Sequence, residues 1–176
     1  AGVFLDAYSG QGIDGNGTAY FEGDLGPGHS PGRATFGGDV ILRSTARLVA
    51  EIAGTRPGDE YDVLEAAGSV ALDGELAASV LHGFAPGYWD AFEIVHADES
   101  VSGTFANAAR SYVSPDGWAM QVTYGNQDLT LSGYAPWGAW DVDAGRAWTM
   151  VGKWAEQMRE LIPAHAAAGD AGVPPR

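Results

Sequence analysis

The chain has 176 residues, a formal net charge of −14, 26 glycines and no cysteine. Its length suits one domain with a sizeable core, and the lack of cysteine excludes disulfide scaffolds and thiolate metal sites. Nucleic acid is excluded as a partner, because a chain this acidic repels a polyanion.

Apolar runs begin at once. Val3-Phe4-Leu5-Asp6-Ala7-Tyr8 predicts a first strand, and Ala19-Tyr20-Phe21-Glu22 a second. Gly26-Pro27-Gly28-His29-Ser30-Pro31-Gly32 is a dense turn signal. Ala34-Thr35-Phe36 and Val40-Ile41-Leu42 follow, and then an alternating run places Leu48, Ala50 and Ile52 on one face. Tyr61-Asp62-Val63-Leu64 and the run from Ser69 to Leu72 come next. Asp73-Gly74 then precedes a second alternating set, Leu76, Ala78 and Val80. Phe92-Glu93-Ile94-Val95, the run through Met120, Val122 and Tyr124, and Leu129-Thr130-Leu131 complete roughly ten short strands.

Many short strands with glycine punctuation predict an all-β fold: a sandwich, barrel or solenoid. Gly23-Asp24, Gly38-Asp39, Gly58-Asp59 and Asp73-Gly74 recur about 15 to 20 residues apart, near the length of one β-helix coil. The reading adopted is therefore a right-handed β-solenoid over residues 1–136, with a β-sandwich as the alternative. Asp73-Gly74 argues the other way, since Asp-Gly between alternating runs is a type I′ hairpin signal.

The last forty residues change character. Residues 1–136 carry 18 acids and 5 bases, whereas the remainder carries 5 and 4. Trp148, Val151, Ala155, Met158 and Ile162 recur at helical spacing, and Pro163 ends the stripe. This predicts a helix within 137–163 that packs on or caps the β domain, followed by a flexible tail over 164–176. No apolar run approaches the ~20 residues of a membrane-spanning helix. The first residue is Ala1, not Met, so the expectation is a removed leader or a longer parent chain.

Between residues 34 and 105 the chain resembles a bacterial surface-protein module found in autotransporter passengers and large exported repeat proteins. The similarity rests on Gly28-His29-Ser30-Pro31-Gly32 followed by Gly38-Asp39-Val40-Ile41-Leu42. It continues in Thr55-Arg56-Pro57-Gly58-Asp59-Glu60-Tyr61-Asp62, in the glycine-centred segment 68–81, and in Phe84-Ala85-Pro86, Phe92-Glu93-Ile94 and Ser102-Gly103-Thr104-Phe105. Weaker similarity extends to Leu131 and stops after Tyr134. The resemblance implies a β-helical scaffold near the end of an exported stalk, hence an extracellular or cell-surface location, and supplies no catalytic residues.

Candidate chemistry is sparse. His29, His82, His96 and His165 are scattered without metal-ligand spacing. Asp14-Gly15-Asn16-Gly17 is a turn that brushes against a Ca²⁺ loop but lacks its staggered carboxylates and terminal glutamate. Glu60 and Asp62 would lie about 7 Å apart on one strand face, within the reach of a two-carboxylate glycosidase, yet they read better as solvated acids. A lyase would need a base such as Arg43, Arg47 or Arg56 beside Ca²⁺ carboxylates. Gly28-His29-Ser30-Pro31-Gly32 has the letters of a nucleophile elbow, but Pro31 removes the N–H that would line an oxyanion hole.

The leading expectation is a non-enzymatic, exported structural protein without cofactor. It associates with itself, through strand addition or end-to-end stacking, into a filament or surface layer. Its candidate interface is Val3, Phe4, Leu5, Tyr8, Trp148 and Trp154. The alternative is an adhesin stalk whose Trp89, Trp118, Trp137 and Trp140 stack on a cell-surface glycan.

Overall fold

The computed structural model describes residues 2–28, 31–87 and 89–133. All their regular structure is β. The expected helix over 137–163 and tail over 164–176 lie outside the described residues.

The strands are β1 (Gly2–Leu5), β2 (Tyr8–Gly10), β3 (Gly12–Ile13), β4 (Thr18–Phe21), β5 (Asp24–Pro27), β6 (Arg33–Phe36), β7 (Asp39–Leu42) and β8 (Arg47–Ile52). Then come β9 (Val63–Ala66), β10 (Ser69–Leu72), β11 (Glu75–Val80), β12 (Ala91–Ala97), β13 (Ser100–Gly103), β14 (Ser111–Val113), β15 (Ala119–Tyr124) and β16 (Asp128–Ser132). They form three sheets. The first has the order β1-β4-β7-β10-β13 and the second β2-β5-β8-β11. The third runs β3-β6-β9-β12 and continues through β16, β15 and β14.

Up to β13, each strand therefore pairs with the strand three places along, and every one of these pairings is parallel. One circuit of the chain lays one strand on each sheet. Only β14, β15 and β16 pair antiparallel, with β16 also running against β12.

Alternation explains the core. In β4, β7, β8 and β10 every second residue is buried, because successive side chains point to opposite faces of a strand. In-register stacking then places like on like. Leu25, Leu48 and Leu76 form one inward column, Ala19, Val40 and Val70 another, and Ala34, Leu64 and Val95 a third. The early circuits hold one cluster of packed rings. Phe21 and Phe36 meet edge to face with centroids 5.7 Å apart, and Tyr8 packs on both.

Two sequence expectations need correction. Val3 to Tyr8 is not one strand: it divides into β1 and β2, on different sheets. The break at Asp6 is where Gly23 of the next circuit lies so close to the Asp6 carbonyl that a Cβ would overlap it. Asp73-Gly74 is likewise not a hairpin. Gly74 does adopt the left-handed conformation, with φ +76°, but it turns the chain from β10 on one sheet to β11 on another. A side chain there would collide with the Ala46 carbonyl of the preceding circuit.

The Gly-Asp spacing also has a different basis. Asp24 faces Arg47 across the second sheet, whereas Asp39 faces Thr18 across the first. Successive dipeptides thus mark different corners. The register repeat lengthens from 21 residues between Thr18 and Asp39 to 31 between Ser69 and Ser100. Finally, Asp24–Pro27 is a strand in spite of its turn composition, with Leu25 and Pro27 buried. Proline is tolerated because the pairing of β5 with β8 ends at Leu25, so β8 requires no N–H from Pro27.

Candidate functional site

One candidate surface is the N-terminal end of the stacked sheets. β1, β2 and β3 each terminate a sheet, so each has one edge with no strand partner among the described residues. Such an edge presents a row of N–H and C=O groups able to template another strand.

The core is open there as well. Val3 sits in the inward row, facing Ala19, yet is 48% exposed where Ala19 is 6% exposed. On the outer side, Phe4 stacks on Tyr20 at 4.6 Å with an interplanar angle of 11°. The Arg43 guanidinium lies 5.3 Å from the Tyr20 ring centroid and 5.7 Å from that of Phe4, a cation–π arrangement, and Glu22 pairs with Arg43 at 3.5 Å. Phe4 remains 63% exposed, the first ring of a column with nothing stacked before it among the described residues. Leu5 and Tyr8 pack against the core instead, and the Tyr8 hydroxyl donates to the Gly12 carbonyl at 2.7 Å.

A second feature is an acidic groove on the outer face of β2, β5 and β8. It encloses about 340 Å³ and is lined by Tyr8, Ser9, Gly26, Val49, Glu51 and Asp62, among others. Asp62 is 3% exposed. Its Oδ1 accepts the Gly32 N–H at 2.6 Å and its Oδ2 the Glu51 N–H at 2.9 Å. Burial pushes its carboxyl up to about 6; the two backbone N–H groups pull the other way, and the Glu51 charge adds to the rise. The Glu51 Oε2 is shielded from solvent and accepts no hydrogen bond.

Glu60 and Asp62, the pair with glycosidase spacing, do not face one cleft. Glu60 folds back on its own turn, accepting the Thr55 and Arg56 N–H groups and the Arg56 guanidinium. Alternation fails here because β9 begins only at Val63. The acid brought near Asp62 is Glu51, eleven residues away; its outward position on β8 was readable from alternation, but its neighbour was not. Both Asp62 oxygens are committed to backbone N–H groups, so Asp62 clamps the corner at Gly32 to β8 and is poorly placed to exchange protons with a substrate.

The other candidates are dispersed. Trp118 is half-buried and packs against the core, whereas Trp89 is 79% exposed. Trp137, Trp140, Trp148, Trp154, His29 and His165 lie outside the described residues. His96 sits 2.7 Å from Glu93 and 3.6 Å from Asp98. The three arginines weighed for a lyase have separate partners: Arg43 pairs with Glu22, Arg47 with Asp24 and Arg56 with Glu60.

Among the described residues no group of three or more His, Cys, Asp or Glu converges as a metal-holding set. Near the Asp14-Gly15-Asn16-Gly17 corner, Asp39 is already engaged by the Ser69 N–H and the Thr18 hydroxyl. No helix among the described residues is long and apolar enough to cross a membrane.

No family model matches the chain, and no curated protein or solved structure matches it either.

Proposed function

We propose that this is an exported structural protein, a β-solenoid that associates with itself through its N-terminal end. The three-step parallel pairing of β1 to β13 supports a solenoid over a sandwich, whose hairpin-linked sheets are antiparallel. Its hand is right-handed by the rule that governs parallel crossovers. Export to the cell surface rests on the sequence resemblance of residues 34–105 to autotransporter passengers alone.

The observation that carries the reading is Val3: a core-row residue 48% exposed, on an edge strand, beside the outward ring of Phe4. A second copy brought up by a two-fold axis sets β1 antiparallel to β1. It continues the aromatic column and buries both open cores, an isologous contact. Non-enzymatic status fits the commitment of both Asp62 oxygens.

Sedimentation velocity of the full chain over a concentration series tests this. The expected result is reversible association that Val3→Lys abolishes while the circular dichroism spectrum is unchanged. A wild-type chain that stays monomeric throughout removes the proposal.

One observation favours the carbohydrate-binding alternative, the 79% exposure of Trp89. An exposed indole offers a face on which a sugar stacks. Glycan binding lost in Trp89→Ala, with association intact, would support that reading.

A further inference from the structure

Sheet two ends at β11, whose outer edge lies opposite to the N-terminal end. Here the edge groups are met one after another by side chains. Asn107 Oδ1 accepts the Leu76 N–H at 2.9 Å while its Nδ2 donates to the Leu76 carbonyl at 2.8 Å. The Tyr112 hydroxyl accepts the Ala78 N–H and donates to the Ala78 carbonyl, each at 3.0 Å. The Asp116 Oδ2 accepts the Val80 N–H at 3.1 Å. Leu76, Ala78 and Val80 are alternate residues of one strand, so their groups form the row that an added strand would pair with.

Asn107 and Tyr112 each satisfy a donor and an acceptor of one residue, as the facing residue of a neighbouring strand does. They come from 31 and 34 residues beyond their partners, in the segment that leads to and forms β14. Tyr112 is held in place by burial at 6% exposure. Burial also raises its phenol above the ordinary range, against the pull of the Ala78 N–H, which keeps the donating proton in place; Asp116, Arg47 and Glu75 are the charged groups around it. On sheet one, the Val101 N–H of β13 donates to the Asn126 carbonyl at 2.7 Å.

We infer that Asn107, Tyr112 and Asp116 form a side-chain terminator that keeps a second copy from adding its β2 edge to β11. The occupant follows from continuity. The ladder β2-β5-β8-β11 is parallel throughout, and among the described residues the one strand of this sheet with an open edge is β2, so a second copy stacked head to tail would extend the ladder in the same sense. The inference deepens the proposed self-association and rests on that reading for the partner's open end. With β11 occupied, association stops at a pair and does not run on as the filament expected from sequence, because head-to-tail growth needs two compatible ends.

The test compares the full chain with the triple variant Asn107→Ala, Tyr112→Phe, Asp116→Ala by amide hydrogen exchange and sedimentation velocity. The expected result is exchange at Leu76, Ala78 and Val80 at least ten-fold faster at low concentration, and species larger than a pair at high concentration. Adding Val3→Lys, which blocks only the N-terminal end, should return the variant to small species. Unchanged sedimentation with a native circular dichroism spectrum overturns the inference, as does growth that leaves those three amides as protected as in wild type at low concentration. If the triple variant does not fold, Tyr112→Phe alone must speed exchange at Ala78, and failure to do so overturns it equally. A monomeric wild type together with a variant that grows through β11 would retain the terminator and remove the N-terminal pair.

Discussion

Val3 and Ala19 face each other in parallel register on one sheet, in the same inward row, yet the first is 48% exposed and the second 6%. The difference is one of position in the stack. Ala19 has a strand on either side and Val3, among the described residues, has one. Burial in this architecture is supplied by neighbouring circuits, so the first circuit is where apolar surface is left over.

That leftover surface sets the first prediction. Phe4→Ala removes the outermost ring of the column at a site 63% exposed. It should weaken pair formation by roughly ten-fold, since burying an aromatic side chain stabilises by about 1.5–3 kcal/mol and alanine keeps part of that. The melting temperature of the isolated chain should hardly move. Sedimentation and thermal melts at low concentration check both halves.

Within the stack the outcome is reversed. Leu48 is fully buried between Leu25 and Leu76, so Leu48→Ala should cost about 2–5 kcal/mol of stability, the usual range for a core leucine that leaves a cavity. Urea denaturation measures it.

Asp62 gives a pH dependence with a definite sign. Its folded value of about 6 lies above the ordinary 3.8, so the folded state holds the proton more tightly than the unfolded chain. The associated stability is fully present below about pH 4 and is lost as pH rises through 6. The difference amounts to about 3 kcal/mol as an upper figure. Between pH 4 and 8 the urea midpoint of wild type should fall relative to that of Asp62→Asn, in which this titration is absent. Parallel curves would place the Asp62 carboxyl at its ordinary value.

Gly74 and Gly117 separate conformational strain from collision. Both have positive φ, +76° and +83°. A Cβ at Gly117 meets nothing within 4 Å, whereas one at Gly74 strikes the Ala46 carbonyl. Gly117→Ala should cost about 1–2 kcal/mol for the left-handed backbone alone. Gly74→Ala should cost clearly more, because the circuits must also move apart. Chemical denaturation of the two variants gives the comparison.

The resolution of the sequence reading was uneven for physical reasons. Leu48, Ala50 and Ile52, and likewise Leu76, Ala78 and Val80, were legible as inward faces, since alternation is a property of a strand by itself. β3 and β14 were not, because strands of two or three residues carry too little pattern. Of the candidate interface residues, Val3 and Phe4 are exposed, while Leu5 and Tyr8 are partly buried against the core. The Glu51–Asp62 groove and the Asn107–Tyr112–Asp116 row were out of reach, the first because it is lined from several strands of one sheet and the second because its partners lie 31 to 36 residues away.

What the sequence by itself determined is the all-β character of the described residues, the inward and outward faces of most of their strands and the positions of the corners, all of them local consequences of alternation and of glycine. What only the tertiary structure decided is which strand lies beside which. Asp73-Gly74 suits a hairpin and a corner between two parallel sheets with the same left-handed glycine, and the choice between them was made elsewhere. It rests on the Ala46 carbonyl packed against Gly74 and on the in-register stacking of Leu76 on Leu48, a contact between residues a full circuit apart.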